Sequence, residues 1–316
     1  MISIVIPCYN HIQFLEKRIV SILSQYSQSK DIILMDDSST DGSIEYLQHI
    51  SVKNDTIRLI LNDTNSGSTF SQWNKGIKLC TSDLIWIAES DDYADPAFID
   101  RVAKPLLSDP DIVLSFCQSY RADHLGNITG TWLDETGEVE KSAFASDFIM
   151  DGKEFISKYL IHKNVIPNAS AVIFRKKIYD MVGGAPEDLK TNGDWLTWLK
   201  MLCFGKVAFI SEPLNYFRYH DTSVIGKLKH ANNSNNYLEQ YDRALRKKFK
   251  KYLNENKIYI DPRIKFINDQ NISYDNGNEA IHLFAKRKML KAFPLLFSST
   301  FLPKFKSGYL KKILFK

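Results

Sequence analysis

Leu84-Ile85-Trp86-Ile87-Ala88-Glu89-Ser90-Asp91-Asp92 is a short apolar run that stops abruptly in a cluster of acids. A run of this length, rich in branched and aromatic residues, reads as a buried strand. Carboxylates gathered at the end of such a strand cost desolvation energy unless a cation or a hydrogen-bonded ligand offsets it. The layout recurs upstream. The chain opens with Ser3-Ile4-Val5-Ile6-Pro7-Cys8-Tyr9-Asn10, and a second apolar run, Ile32-Ile33-Leu34-Met35, ends in Asp36-Asp37-Ser38-Ser39-Thr40-Asp41-Gly42-Ser43.

Working outward, strands are expected at Ile2 to Ile6, Ile32 to Met35, Ile57 to Leu61, Leu84 to Ala88 and Ile112 to Phe116. Between them Phe14, Leu15, Ile19, Ile22 and Leu23 fall at helical spacing, as do Phe70, Trp73 and Ile77. Asp95-Pro96 reads as an N-cap with proline at the first helical position, opening a helix towards Leu107. Alternation of this kind predicts an α/β fold, a Rossmann-like, mostly parallel sheet flanked by helices. Ligands of such sheets sit at the carboxyl ends of the strands, where Tyr9, Asp37 and Asp91 can converge.

The pattern weakens from Gly126 to Gly152, as in a hairpin or loop, and resumes with Ala171-Val172-Ile173-Phe174. A helix carrying Trp195, Leu196, Trp198, Leu199 and Leu202 follows, then the strand Val207-Ala208-Phe209-Ile210. The catalytic domain is expected over residues 1–225, with a mainly helical, basic C-terminal extension over 226–316. His230 to Asn236 reads as a polar connection and Tyr237 to Leu253 as a helix.

The 316 residues, 44% hydrophobic and 25% charged, are those of an ordinary globular protein with ample core. No signal peptide or membrane-spanning run is legible, so a cytoplasmic protein is expected. Cys8, Cys80, Cys117 and Cys203 lack the close pairing of zinc or redox motifs and read as buried free thiols. Lys286, Arg287, Lys288, Lys291, Lys304, Lys306, Lys311, Lys312 and Lys316 face no acid after Glu279; setting these nine aside turns the net charge from +4 to −5. The basic tail interleaves aromatic and branched residues, so segment 280–316 suits either an anionic membrane surface or packing with a solvated lysine face. No nucleic-acid-binding module is evident.

Together these segments resemble family 2 glycosyltransferases of the GT-A fold, over roughly the first two-thirds of the chain. The opening strand and Asp36 to Ser43 match two signatures of that family, Asn65-Ser66-Gly67 with Asn74-Lys75-Gly76-Ile77 a third, and Glu89-Ser90-Asp91 its Asp-X-Asp motif. The resemblance implies that Pro7 and Tyr9 flank the base of a nucleotide-sugar donor and that Asp37 accepts a hydrogen bond from it. It further implies that Asn65, Gly67, Glu89 and Ser90 lie along ribose and diphosphate, and that Asp91 holds Mn²⁺ or Mg²⁺. Thr191-Asn192-Gly193-Asp194-Trp195-Leu196-Thr197-Trp198-Leu199 matches the segment carrying the catalytic base, which makes Asp194 that base. Leu214-Asn215-Tyr216-Phe217-Arg218-Tyr219-His220 resembles the closing segment, with Arg218 on the diphosphate and His220 a metal ligand or diphosphate donor.

The sequence departs from the family at Glu89, at Gly193 and around Gln72-Trp73, where an aspartate, a glutamate and an arginine are more usual. Read without the resemblance, Asp37 suits a helix N-terminal cap or a turn, Asp92 a cap on the following turn, and Asp194 an N-cap or first-turn acid. The implied activity is inverting transfer from a nucleoside-diphosphate sugar, UDP being the commonest in the family. The acceptor would be a glycan or lipid-linked glycan of the bacterial surface, reached from the inner face of the membrane. The rival reading is a nucleotide-sugar-binding scaffold without turnover. A nucleotidyltransferase would need a glycine-rich phosphate loop near the first strand, and Pro7-Cys8-Tyr9-Asn10 offers none.

Overall fold

A computed structural model describes residues 1–137, 139–140, 142–224, 226–227 and 237–298. The chain divides into two compact units, Met1–Ser223 and Val224–Lys316.

The first unit is an α/β layer structure on one mixed sheet. In order along the sheet lie β3 (Ile57–Leu61), β2 (Lys30–Asp36), β1 (Ile2–Cys8), β4 (Leu84–Ile87), β9 (Val172–Arg175), β6 (Ile112–Ala122), β10 (Lys206–Arg218) and β5 (Tyr93–Ala94). Two short strands complete it: β7 (Ile128–Thr131) on β6 and β8 (Phe148–Asp151) on β10. Pairing is parallel through β3-β2-β1-β4 and again between β6 and β10, while β9 runs antiparallel between β4 and β6. Every residue of β1 and β4 is buried, which explains why these strands read as unbroken apolar runs.

Helix α1 (Ile12–Leu23) lays Phe14, Leu15, Ile19 and Ile22 on the core, followed in the chain by α2 (Ser43–Lys53) and α3 (Thr69–Leu79). Glycine at position 76 lets α3 approach the sheet, since a Cβ there would collide with the side chains of Val5 and Met35. Helix α4 is Phe98–Ser108 and starts later than expected from Asp95-Pro96. Asp95 instead closes a turn: its carboxylate accepts from the Ala97 N–H at 2.8 Å and its carbonyl from the Phe98 N–H at 3.0 Å. The segment after Gly126 forms the β6–β7 hairpin, and all four cysteines are buried free thiols.

The second unit contains the helices Tyr237–Glu255, Pro262–Ala285 and Met289–Ser298. Leu245, Phe249, Leu253 and Ile264 are buried within it, and Lys250 pairs with Asp269 at 2.9 Å. Asp261 caps the second helix through the Arg263 N–H. The polar connection expected at His230 to Asn236 and the tail residues 299–316 lie outside the described residues. Among the described residues no helix is long and apolar enough to cross a membrane.

Candidate active site

The ends of β1 and β2 are locked together before any ligand is considered. Asn10 and Ser38 adopt left-handed backbone conformations, with φ of 55° and 65°, a region Asn tolerates better than most residues. The Asn10 N–H donates to Ser39 Oγ at 2.9 Å, Asn10 Oδ1 accepts from the Thr40 N–H, and Asp41 accepts from the Ile12 N–H. Asp36, fully buried, holds Ser39 through two bonds of 2.7 Å. This leaves Pro7 inside β1 and turns Tyr9 outward, 40% exposed, with a ring face that can stack on a flat ligand.

Asp37 is tied to the segment after β3. Its carboxylate accepts from Asn62 Nδ2 at 2.7 Å, Gln72 Nε2 at 2.8 Å, Ser66 Oγ at 2.8 Å and the Ser66 N–H at 2.9 Å. Asn65 Nδ2 donates to the Asp37 carbonyl and Asn65 Oδ1 accepts from the Gly67 N–H, where φ is 70°. The contact of Asp37 in the structure is therefore the loop carrying Asn65 and Gly67. Gln72, standing where an arginine is usual in the resembling family, supplies one of the donors.

The acids after β4 point in separate directions. Trp73 Nε1 donates to Glu89 Oε1 at 2.7 Å; burial, and next the charge of Asp91, pushes the Glu89 carboxyl up to about 8. Asp92 does not cap a turn. It accepts from Asn168 Nδ2 at 2.6 Å and the Arg218 N–H at 3.0 Å, with Arg18 4.0 Å away, and burial followed by Asp91 raises it to about 7. Burial also opposes ionisation of Asp91, but the His220 hydrogen bond and the positive charge of His11 and His220 outweigh it and hold Asp91 at about 2. Burial thus sets Glu89 and Asp92 above the ordinary carboxylate range, while the neighbouring imidazoles set Asp91 below it.

Arg18 and His11 were not anticipated. Arg18 is fully buried beneath the cluster, donating to the Glu89 carbonyl at 2.8 Å and Ser170 Oγ at 3.1 Å. Its signal was present, because position 18 falls four residues after Phe14 and four before Ile22 on the apolar face of α1. His11 carries no periodic signal. It meets the site because the β1–α1 turn brings it beside Ser90, whose Oγ lies 2.7 Å from His11 Nδ1.

The closing segment after β10 completes this side. His220 Nε2 lies 3.0 Å from Asp91 Oδ2, and its Nδ1 lies 2.7 Å from Thr222 Oγ1. One donor atom each of His11, Asp91 and His220 lies within 4.8 Å of the others, a spacing that a single metal ion can bridge. Arg218 is 3% exposed, its guanidinium 4.5 Å from the Phe14 ring and 5.4 Å from that of Tyr93. Nε and Nη1 of Arg218 are buried and have no hydrogen-bond partner among the described residues. A buried cationic group with unmatched donors is costly unless an anionic ligand completes it.

Asp194 stands in the first turn of the helix Gly193–Met201 and does not act as its N-cap, the position held by Asn192. Burial raises its pKa, against the Trp195 N–H and the Asn164 amide, which donates to Oδ2 at 3.2 Å. Gly193 explains the missing glutamate: a Cβ there would lie 2.5 to 2.8 Å from three atoms of the Phe70 ring. That ring packs edge-on against Trp73, the partner of Glu89, so the helix start bearing Asp194 adjoins the acid cluster through Phe70 and Trp73.

Residues 3–179 match the model of glycosyl transferase family 2. An uncharacterised glycosyltransferase of Haemophilus influenzae is 25% identical over 295 residues, 92% of this chain and 84% of its own length. The putative teichuronic acid biosynthesis glycosyltransferase TuaG of Bacillus subtilis is 24% identical over 225 residues, 71% of this chain and 81% of its own. Among solved structures, S. aureus TarS 1–349 in complex with UDP-GlcNAc superposes with a TM-score of 0.63 at 17% identity, covering 93% of this chain and 79% of that one. With more than half its length inside the family match, and the sheet and strand-end acids in place, the chain belongs to glycosyltransferase family 2.

Proposed function

We propose that the protein is an inverting, metal-dependent glycosyltransferase that moves a sugar from a UDP-sugar to an acceptor hydroxyl in bacterial surface polysaccharide synthesis. The observation that carries this reading is Arg218, buried with two donor nitrogens that lack a hydrogen-bond partner among the described residues, on the same closing segment as His220 of the His11–Asp91–His220 group. An anion-seeking guanidinium beside a cation-seeking cluster suits a metal diphosphate. The UDP-GlcNAc held by the TarS neighbour and the teichuronic acid biosynthesis in the TuaG name support donor and pathway class.

In this reading Pro7 and Tyr9 flank the base, and Asp37 acts by holding the Asn65–Gly67 loop along the ribose and diphosphate. Glu89, whose carboxyl pKa is raised by burial, contacts a ribose hydroxyl or a bound water, and Ser90 lines the same turn. Asp91 and His220 hold Mn²⁺ or Mg²⁺, which when bound supplies positive charge to the departing diphosphate. Arg218 donates its two unmatched N–H groups to that diphosphate. Asp194 removes the proton of the acceptor hydroxyl as it attacks the anomeric carbon from the face opposite the leaving group, which inverts the configuration. The acceptor is a glycan or lipid-linked glycan at the inner face of the membrane. The basic residues Lys286 to Lys291 and the exposed Leu290 and Phe297 support attachment to an anionic lipid surface.

The test is release of nucleoside diphosphate from a panel of nucleotide sugars, with and without Mn²⁺, for wild type and Asp91→Asn, with calorimetric donor binding alongside. Metal-dependent release from one donor, lost in the variant, is expected. Neither release nor metal-linked binding with any donor would overturn the assignment.

A further inference from the structure

The three side chains that can share an ion are two imidazoles and one carboxylate, from the turn after β1, the turn after β4 and the segment after β10. This donor set differs from the oxygen cage expected from the acids alone. Mg²⁺ demands oxygen ligands and sheds water reluctantly, whereas imidazole suits first-row transition dications. Both rings are braced as ligands would be. His11 Nδ1 lies 2.7 Å from Ser90 Oγ and His220 Nδ1 2.7 Å from Thr222 Oγ1, hydroxyl partners of the kind that fix the orientation of metal-binding histidines. Phe14 packs against both, with centroids 5.6 Å from His11 and 4.5 Å from His220.

We propose that His11 is a metal ligand, and that His11, Asp91 and His220 form a two-imidazole, one-carboxylate site selecting a transition-metal dication over Mg²⁺. The assignment rests on the transferase reading for its purpose, since the ion would serve the donor diphosphate, but its test does not need turnover. Thr222 and Ser90 are positioning residues, acting through the rings they hold.

The experiment is titration of the full chain with Mn²⁺ and with Mg²⁺ by calorimetry, with pulsed EPR of bound Mn²⁺ to count coupled imidazole nitrogens. Wild type is expected to prefer Mn²⁺ and to show two imidazole couplings. His11→Phe, which keeps a ring against Phe14, should leave one coupling and reduce the preference for Mn²⁺. Ser90→Ala, which removes only the hydroxyl on His11, should weaken Mn²⁺ by about tenfold or more. Equal affinities for the two ions in wild type, or a wild-type spectrum with fewer than two imidazole couplings, would overturn the proposal even if both variants failed to fold. UDP binding measured in parallel separates the two readings. Its absence under every ion counts against the transferase assignment, whereas UDP binding supported equally by Mg²⁺ and Mn²⁺ counts against ion selection by His11.

Discussion

Replacing Asp37 by Asn should act on stability before it acts on the nucleotide. The carboxylate is 4% exposed and receives Asn62, Gln72, the Ser66 hydroxyl and the Ser66 N–H. An amide retains one acceptor oxygen. Its cheaper orientation puts the nitrogen where Oδ2 was: the Ser66 hydroxyl must then reverse its role and the Ser66 N–H keeps its bond to Oδ1 but gives up the 3.0 Å one to Oδ2, whereas the opposite orientation faces both Asn62 and Gln72 with a donor. Even so, three bonds lose the assistance of a charged acceptor. At about 1 kcal/mol each, the difference between charged and neutral acceptors, the loss is about 3 kcal/mol. For a unit of this size that lowers the midpoint by about 6–12 °C. Scanning calorimetry of the full chain, with UDP titration at a temperature where both forms are folded, measures the two effects separately. A transition within about 1 °C of wild type, with UDP affinity collapsed, would refute the reasoning and return Asp37 to direct contact with the base.

Asp194→Asn should lower transfer by about 10²–10⁴-fold while leaving UDP affinity near wild type, read by steady-state kinetics and calorimetry. Because burial raises the Asp194 pKa, the acid limb of the rate profile should lie above the ordinary aspartate range, activity falling as pH drops through it. The same shift means the folded form binds the proton more tightly than the unfolded form. Stability from this residue therefore declines as pH rises from 3.8 to the raised value, and Asp194→Asn should flatten that slope in pH-dependent melts. Arg218→Met should weaken UDP by about 1.5–3 kcal/mol, read by calorimetry, with only a small fall in melting temperature, since among the described residues Nε and Nη1 have no hydrogen-bond partner to lose and the methionine keeps an apolar contact with the Phe14 and Tyr93 rings. Gly193→Glu should destabilise the fold by collision with Phe70 and be partly rescued by Phe70→Ala, measured as a double-mutant cycle of denaturant midpoints.

Strands β1 and β4 were legible because they are buried throughout and so read as apolar runs, and the edge strand Ile57–Leu61, of which only Ile57 is buried, was still expected at the bounds observed. Strand β10 was visible only as Val207 to Ile210. Its extension to Arg218 passes Glu212-Pro213, whose break in register is absorbed by a bulge against β6. Likewise Asp95-Pro96 has the composition of a helix start but spends it on a turn. Within the site, Asp91 and His220 were foreseen and do meet, because both follow strand ends. His11 could not be foreseen, since a lone histidine has no spacing to betray it. The aspartate of the second signature was read as a ligand contact, and the structure shows its carboxylate full of loop donors that lie 25 to 35 residues away in the chain. Such long-range bonds leave no periodic trace.

Helix α3 reaches several parts of the site from one short stretch of its first turns. Gln72 reaches Asp37, Trp73 reaches Glu89, Phe70 fills the space above Gly193, and Asn74 holds the Ala185 and Glu187 segment. Gly76 anchors the same helix against the sheet. For anyone seeking to change the donor this protein accepts, the consequence is a constraint on the order of mutations. A substitution on α3 that reshapes the nucleotide loop also disturbs the start of the helix bearing Asp194, so new donor variants are better sought first at Tyr9, which is 40% exposed.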